Sequence, residues 1–158
     1  SLADIERSIR LRVTPAQAQP TRCITIENVA VFQEVAALRT GDLIVHSSYP
    51  GRAATSLLRN LPSQIECFHW GDTDPWGFDI LRVLRKKSGR PVHALNMKYR
   101  EGPERPFSTR ETAILSRLLA DTDMRDVRGE LEAMCAAKSK GDFEQESLPP
   151  AKGQFPFL

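Results

Sequence analysis

The stretch His69-Trp70-Gly71-Asp72-Thr73-Asp74-Pro75-Trp76-Gly77-Phe78-Asp79-Ile80-Leu81 decides how this chain is read. It has the form of a strand that ends in Asp-x-Asp and passes at once into a helix. Along extended backbone successive side chains alternate sides, so Asp72 and Asp74 point the same way and Thr73 points away. Gly71 lets the chain leave the strand in a conformation that a side chain resists, and Pro75 suits a helix's first turn, where its missing N–H costs nothing. Two carboxylates at the carboxyl end of a strand stand where open α/β sheets place ligands. Each disfavours ionisation of the other, and a hard divalent cation relieves the conflict most simply. The competing reading is a solvated loop whose aspartate caps the helix.

A second carboxylate strengthens the metal reading. Cys23-Ile24-Thr25-Ile26 reads as a short strand ending in Glu27-Asn28, with a helix over residues 29–38 behind it. Glu27 thus occupies a strand-to-helix junction like that of the Asp pair, 45 residues upstream of Asp72. If the two strands are parallel neighbours, all three acids meet at one sheet edge. The pattern continues with a strand over 42–46, a Ser47-Ser48-Tyr49-Pro50-Gly51 turn into a helix through Leu57, Leu58 and Leu61, and a strand over 65–70. The helix after the Asp pair buries Trp76, Ile80, Leu81, Val83 and Leu84 at helical spacing, and a fourth strand spans 92–95. This alternation predicts an α/β fold: a four-stranded, mainly parallel sheet with helices on both faces.

Beyond Tyr99 a proline-containing loop leads to C-terminal helices. Ser108-Thr109-Arg110-Glu111 is a capping box ahead of a stripe of Ala113, Ile114, Leu115, Leu118 and Leu119, and a further helix covers roughly 124–138. The expected boundaries are a short helix and linker over 1–20, a domain over 21–148 and a loose tail over 149–158. The chain starts at Ser1 rather than Met, which suggests a piece of something longer.

Composition sets the class. At 158 residues, 41% apolar and 27% charged, this is an ordinary water-exposed globule of one domain. No apolar run approaches the roughly 18 residues of a membrane span, and no signal peptide is visible, so no membrane partner and a cytoplasmic location are expected. Cys23, Cys67 and Cys135 are odd in number, widely spaced and never Cys-x-x-Cys, which suits reduced, buried thiols better than a zinc site. The net charge is +2, but nine basic residues against Glu101 and Glu104 lie between Arg82 and Arg110. Such a stretch could neutralise phosphates beside the acids, or it is a solvated helix end followed by a loop.

The order Glu27-Asn28, Ser48-Tyr49-Pro50-Gly51 and Trp70-Gly71-Asp72-Thr73-Asp74-Pro75-Trp76-Gly77-Phe78 resembles the Toprim domains of topoisomerases, primases and related nucleases, in particular that of the topoisomerase VI A subunit. With the late Phe143-Glu144-Gln145-Glu146 it is similar to the C-terminal domain of the Wadjet JetD family. The resemblance implies a Toprim-like, Rossmann-like fold and a metal-dependent DNA endonuclease of an anti-plasmid system in the bacterial cytoplasm. It implies that Glu27, Asp72 and Asp74 bind Mg²⁺ or Mn²⁺ and carry catalysis, with Glu144 and Glu146, either of which could complete the metal shell or orient a water, added as metal ligand and catalytic candidate. Double-stranded plasmid DNA and SMC-like Wadjet subunits are the implied partners, with a homodimer left open. Asn28, Arg52, Lys98, Arg100 and Arg105 are the candidate DNA contacts. The alternatives are a non-catalytic Toprim scaffold and another metal enzyme on an α/β sheet, such as a phosphohydrolase or a nucleotide-sugar glycosyltransferase.

Topoisomerase VI-like enzymes cut DNA with a tyrosine on a separate domain, whereas here only Tyr49 and Tyr99 occur and neither has such a place. Hydrolysis by metal-activated water therefore fits better than a covalent phosphotyrosine. His46, His69 and His93 form no metal-binding pair and read as structural, and no Gly-x-Ser-x-Gly elbow or Walker loop is present. Trp70 and Trp76 read as core, and Asp79 as a residue favoured by the helix dipole.

Overall fold

Runs of Val, Ile, Cys and Phe bounded by polar turns build the strands, because such side chains fill a sheet covered on both faces. The computed structural model describes residues 12–13 and 20–147. Its elements are β1 (Arg12–Val13), β2 (Arg22–Ile26), α1 (Val29–Ala37), β3 (Leu43–His46), α2 (Arg52–Asn60), β4 (Glu66–Trp70), α3 (Pro75–Ser88), β5 (Val92–Ala94), α4 (Thr109–Ala120) and α5 (Arg128–Ala137). A 3-10 segment over Thr122–Val127 precedes α5, where a longer helix was expected, because Met124 leaves helical geometry.

The sheet order is β1-β3-β2-β4-β5. β2 through β5 form the expected four parallel strands. The antiparallel edge strand β1, paired with β3, was not foreseen. It falls inside the stretch read as helix and linker; the rest of 1–19, and the tail, lie outside the described residues. From β2 the chain crosses one way to β3, then back past β2 to β4 and on to β5. With right-handed crossovers α1 lies on one face and α2 and α3 on the other. The two cores agree with that. Ile24, Ile26, Ile44 and Trp70 pack with Val31, Phe32 and Val35 of α1. Cys23, Val45 and Cys67 face Leu58 of α2, Phe78 and Leu81 of α3, and Leu118 and Leu131 of the outer helices α4 and α5.

Ile80, Leu81 and Leu84 of the α3 stripe are buried as its spacing requires, but Trp76 and Val83 are only half-buried, Val83 lining a groove beside α2, while Phe78 is fully buried. Cys23 and Cys67 are buried register partners; Cys135 is exposed, contrary to expectation. Asp79 does more than meet a helix dipole. Nearly fully buried, its carboxylate accepts from the Tyr49 hydroxyl at 2.8 Å, from Arg82 Nε at 2.9 Å and from Arg117 at 3.3 Å. It ties the turn before α2 to α3 and α4. Asp79→Ala leaves Arg82 without its anion, although water reaches both arginines. A loss of about 2–3 kcal/mol is expected, read as a lower urea midpoint at unchanged slope.

Candidate functional site

Parallel pairing of β2 with β4 sets the geometry. Ile26 and Trp70 are Cα partners, and the Glu27 N–H donates to the Trp70 carbonyl at 3.1 Å. Glu27 and Gly71-Asp72 therefore leave the sheet side by side, at the switch point where the crossovers diverge and open α/β sheets hold ligands. The structure places Glu27, Asp72 and Asp74 at this one sheet edge, although the three carboxylates do not converge on a single point.

Backbone amides fix each carboxylate. The Asp72 N–H donates to Glu27 Oε2 at 3.1 Å, and the Gln145 N–H to Asp72 Oδ1 at 2.8 Å. The Gly77 N–H donates to Asp74 Oδ1 at 2.8 Å, making Asp74 the N-cap of α3. Asp74 is thus the helix cap that the competing reading of the sequence called for, and it stands at the same sheet edge as Glu27 and Asp72. Burial, then the nearby Asp72 and Asp74 charges, push the Glu27 carboxyl up from 4.5 to about 7. Burial likewise raises Asp74 to about 6, opposed by the Gly77 amide and Lys140 and reinforced by Asp72 and Glu111.

Two glycines keep the cluster tight. A Cβ on Gly71 would lie 2.7 Å from His69 Nε2 and 2.8 Å from Glu27 Oε2, and one on Gly77 would collide with the Asp72 carbonyl. His69 is fully buried, with Nδ1 2.9 Å from Thr25 Oγ1; burial and Arg85 push its pKa down to about 3, so it is neutral. Its Nε2 has no partner among the described residues and faces the Gly71 turn beside Glu27.

The segment 141–147 straps across the site. The Thr73 N–H donates to the Phe143 carbonyl at 2.8 Å. The buried Gln145 side chain donates through Nε2 to the Trp70 carbonyl at 2.7 Å and accepts from the Asn28 N–H at 2.7 Å, joining the ends of β4 and β2. The residues predicted to flank the acids have other work. Glu144 Oε1 pairs with Arg105 at 2.9 Å, so that carboxylate is directed to the strap's anchor and not to the cluster. Arg105 and Lys140 lie over the Phe143 ring at 5.1 and 4.8 Å, and Arg100 reaches Asp142 and the Glu144 carbonyl. Asn28 Oδ1 caps α1 through the Ala30 and Val31 amides. Lys98 is exposed and Arg52 opens α2, while the Glu146 side chain lies outside the described residues.

Sequence reading missed Gln145 and Lys140. Gln145 stands inside the acidic stretch chosen for its glutamates, and nothing local marks it. Lys140 Nζ pairs with Glu111 at 2.9 Å and supplies positive charge toward Asp74, although the two are far apart in the chain.

Three carboxylates are a hard oxygen donor set. Among the described residues no three His, Cys, Asp or Glu side chains already converge as a metal-ligating group. The donors fit an ion such as Mg²⁺, which takes one or two carboxylates and keeps several waters, and not a closed protein cage. No helix among the described residues is long and apolar enough to cross a membrane. Residues 4–152 match the family model described as Wadjet protein JetD, C-terminal. No curated protein matches the chain.

Two outcomes are expected. A carboxyl raised in the folded state holds its proton more tightly there than in the unfolded chain. Its contribution is full below the unfolded value and is lost as pH rises through the folded one. Metal-free protein therefore loses stability between about pH 4.5 and 7, and Glu27→Gln, which keeps an acceptor for the Asp72 amide, is more stable than wild type at pH 8 by about 1–2 kcal/mol. Melting curves at pH 5 and pH 8 check this. Gln145→Ala strips two buried bonds and costs about 2 kcal/mol, and denaturant titration alongside Mn²⁺ binding should show stability and metal affinity falling together.

Proposed function

The chain belongs to the JetD C-terminal family, which places it among the components of Wadjet anti-plasmid systems, and on that footing we propose that it is a metal-dependent DNA endonuclease domain. The observation that carries the reading is the meeting of Glu27, Asp72 and Asp74 at the switch point of the sheet, where burial and mutual repulsion raise the proton affinity of Glu27 and Asp74. Groups so arranged cost stability unless a cation or a proton neutralises them, which is the condition of a metal site.

Glu27, Asp72 and Asp74 would hold Mg²⁺ or Mn²⁺. Bound there, the ion supplies a Lewis acid for the scissile phosphate, a bound water of lowered pKa and stabilisation of the leaving oxygen. The chain's own part is positional. The Asp72, Gln145 and Gly77 amides aim one oxygen of each carboxylate, and Glu27 must give up its proton to bind a cation, which makes metal affinity rise with pH toward and past 7. Hydrolysis is supported over a tyrosine-linked intermediate. The Tyr49 hydroxyl is engaged by Asp79, and partial desolvation of the hydroxyl with that bond raises its pKa above the ordinary phenol, which does not favour its phenolate. SMC-type Wadjet subunits are the proposed partners, because family membership implies a multi-subunit system.

One observation favours the alternative of a non-catalytic DNA-binding scaffold: the three carboxylates do not yet converge as a ligand group. Nicking of supercoiled plasmid decides between the two. Wild type with Mg²⁺ or Mn²⁺ is expected to nick and linearise, and Glu27→Ala and Asp74→Ala each to lose at least about 100-fold, the scale of removing a principal transition-state contact. Unchanged cleavage in both variants would sink the assignment, and the absence of both cleavage and a metal-induced rise in wild-type melting temperature would select the scaffold.

A further inference from the structure

A groove of about 700 Å³ runs between α2 and α3, and its lining includes Arg52, Arg59, Arg82, Lys86 and Lys87 but no carboxylate. The groove on the other side of Lys86 sets Asp123 and Asp126 against Arg85, Lys86 and Arg90, so most of its charge is offset. Little of the first groove's charge is neutralised. Arg82 pairs with Asp79, but the Arg52 and Lys86 side chains make no hydrogen bond or ion pair among the described residues. Arg59 donates to the Lys87 carbonyl at 2.6 Å and Lys87 to the Pro50 carbonyl at 3.4 Å, bonds that place the cations without cancelling their charge.

The charges form rows. Arg52 and Arg59 are seven residues apart on one face of α2, and Arg82 and Lys86 four apart on α3. Seven residues of helix rise about 10 Å, about three steps of a duplex strand at about 3.4 Å each. The Arg52 end of the groove is linked to the acid cluster through its neighbour Tyr49. Tyr49, three residues before Arg52, bonds the same Asp79 carboxylate as Arg82 and feels the Glu27 charge, and α3 itself begins at the Asp74 cap.

Resting on the endonuclease reading, we infer that this groove is the track along which a DNA sugar-phosphate backbone runs to the Glu27–Asp72–Asp74 site. A backbone presents regularly spaced single charges in a line, which suits two cationic rows facing each other across a narrow floor of Thr55 and Val83. This surface differs from the Lys98–Arg110 loop, where Arg100 and Arg105 hold the strap.

The test is the salt dependence of binding to a labelled duplex in metal-free buffer, so that it does not depend on cleavage. Arg52→Ala and Lys86→Ala remove side chains with no internal bonds, and melting curves confirm that the fold survives. Each is expected to weaken binding several-fold at low salt and to lower the slope of log K against log salt by about 0.9 for every phosphate that is no longer neutralised, whatever the DNA sequence. A double variant with unchanged slope overturns the track. So does a slope that falls only in Lys98→Ala, which would put the backbone on the opposite loop. A double variant that loses binding to polyglutamate while its DNA slope is unchanged would give the groove to an acidic protein instead. If the nuclease reading fails but the track is right, the slope change persists in a protein that cuts nothing.

Discussion

Two neighbouring parallel strands that each end in a carboxylate force like charges together, and the architecture around the sheet edge answers that repulsion. The pairing is fixed by the core: one slip of register would turn Ile24, Ile26 and Trp70 from the α1 side to the other. The acids cannot retreat, so amides from three different segments reach in to hold them. Gly71 and Gly77 permit the closeness, since a methyl group at either would push the carboxylates or their backbone apart. The consequence is raised proton affinity at Glu27 and Asp74.

What the sequence showed was whatever lies in local pattern. The strand-helix alternation announced the parallel sheet, and the shared edge position of Glu27, Asp72 and Asp74 was legible because each lies at or just past the junction of an apolar strand with a helix. The capping box at Ser108 and Glu111 was legible for the same reason, since its residues are neighbours along the chain. Gln145 was not. Its partners are 75 and 117 residues away, and no period or motif points to them. Arg100 and Arg105 looked like exposed cations for phosphate because their actual partners, in the strap, are 42 and 39 residues downstream. Asp79 was read from its own helix alone, whereas two of its three partners lie on other elements.

The basic residues therefore divide by task. Those of the loop after β5 bind the strap and stiffen the site, while those of α2 and α3 line an open groove with charge left over. Net charge concealed this division, since the protein's +2 is the remainder of 22 basic and 20 acidic residues.

The strap also sets an order of events. The residue that orients Asp72 and locks the strand ends together comes 73 positions after it, so a ribosome has made the carboxylates long before it makes Gln145. A nascent chain carries all three acids yet lacks the clamp that arranges them. The carboxylate cluster takes its final arrangement only when translation has passed the strap, so the growing polypeptide carries the acids unclamped while it is still being synthesised.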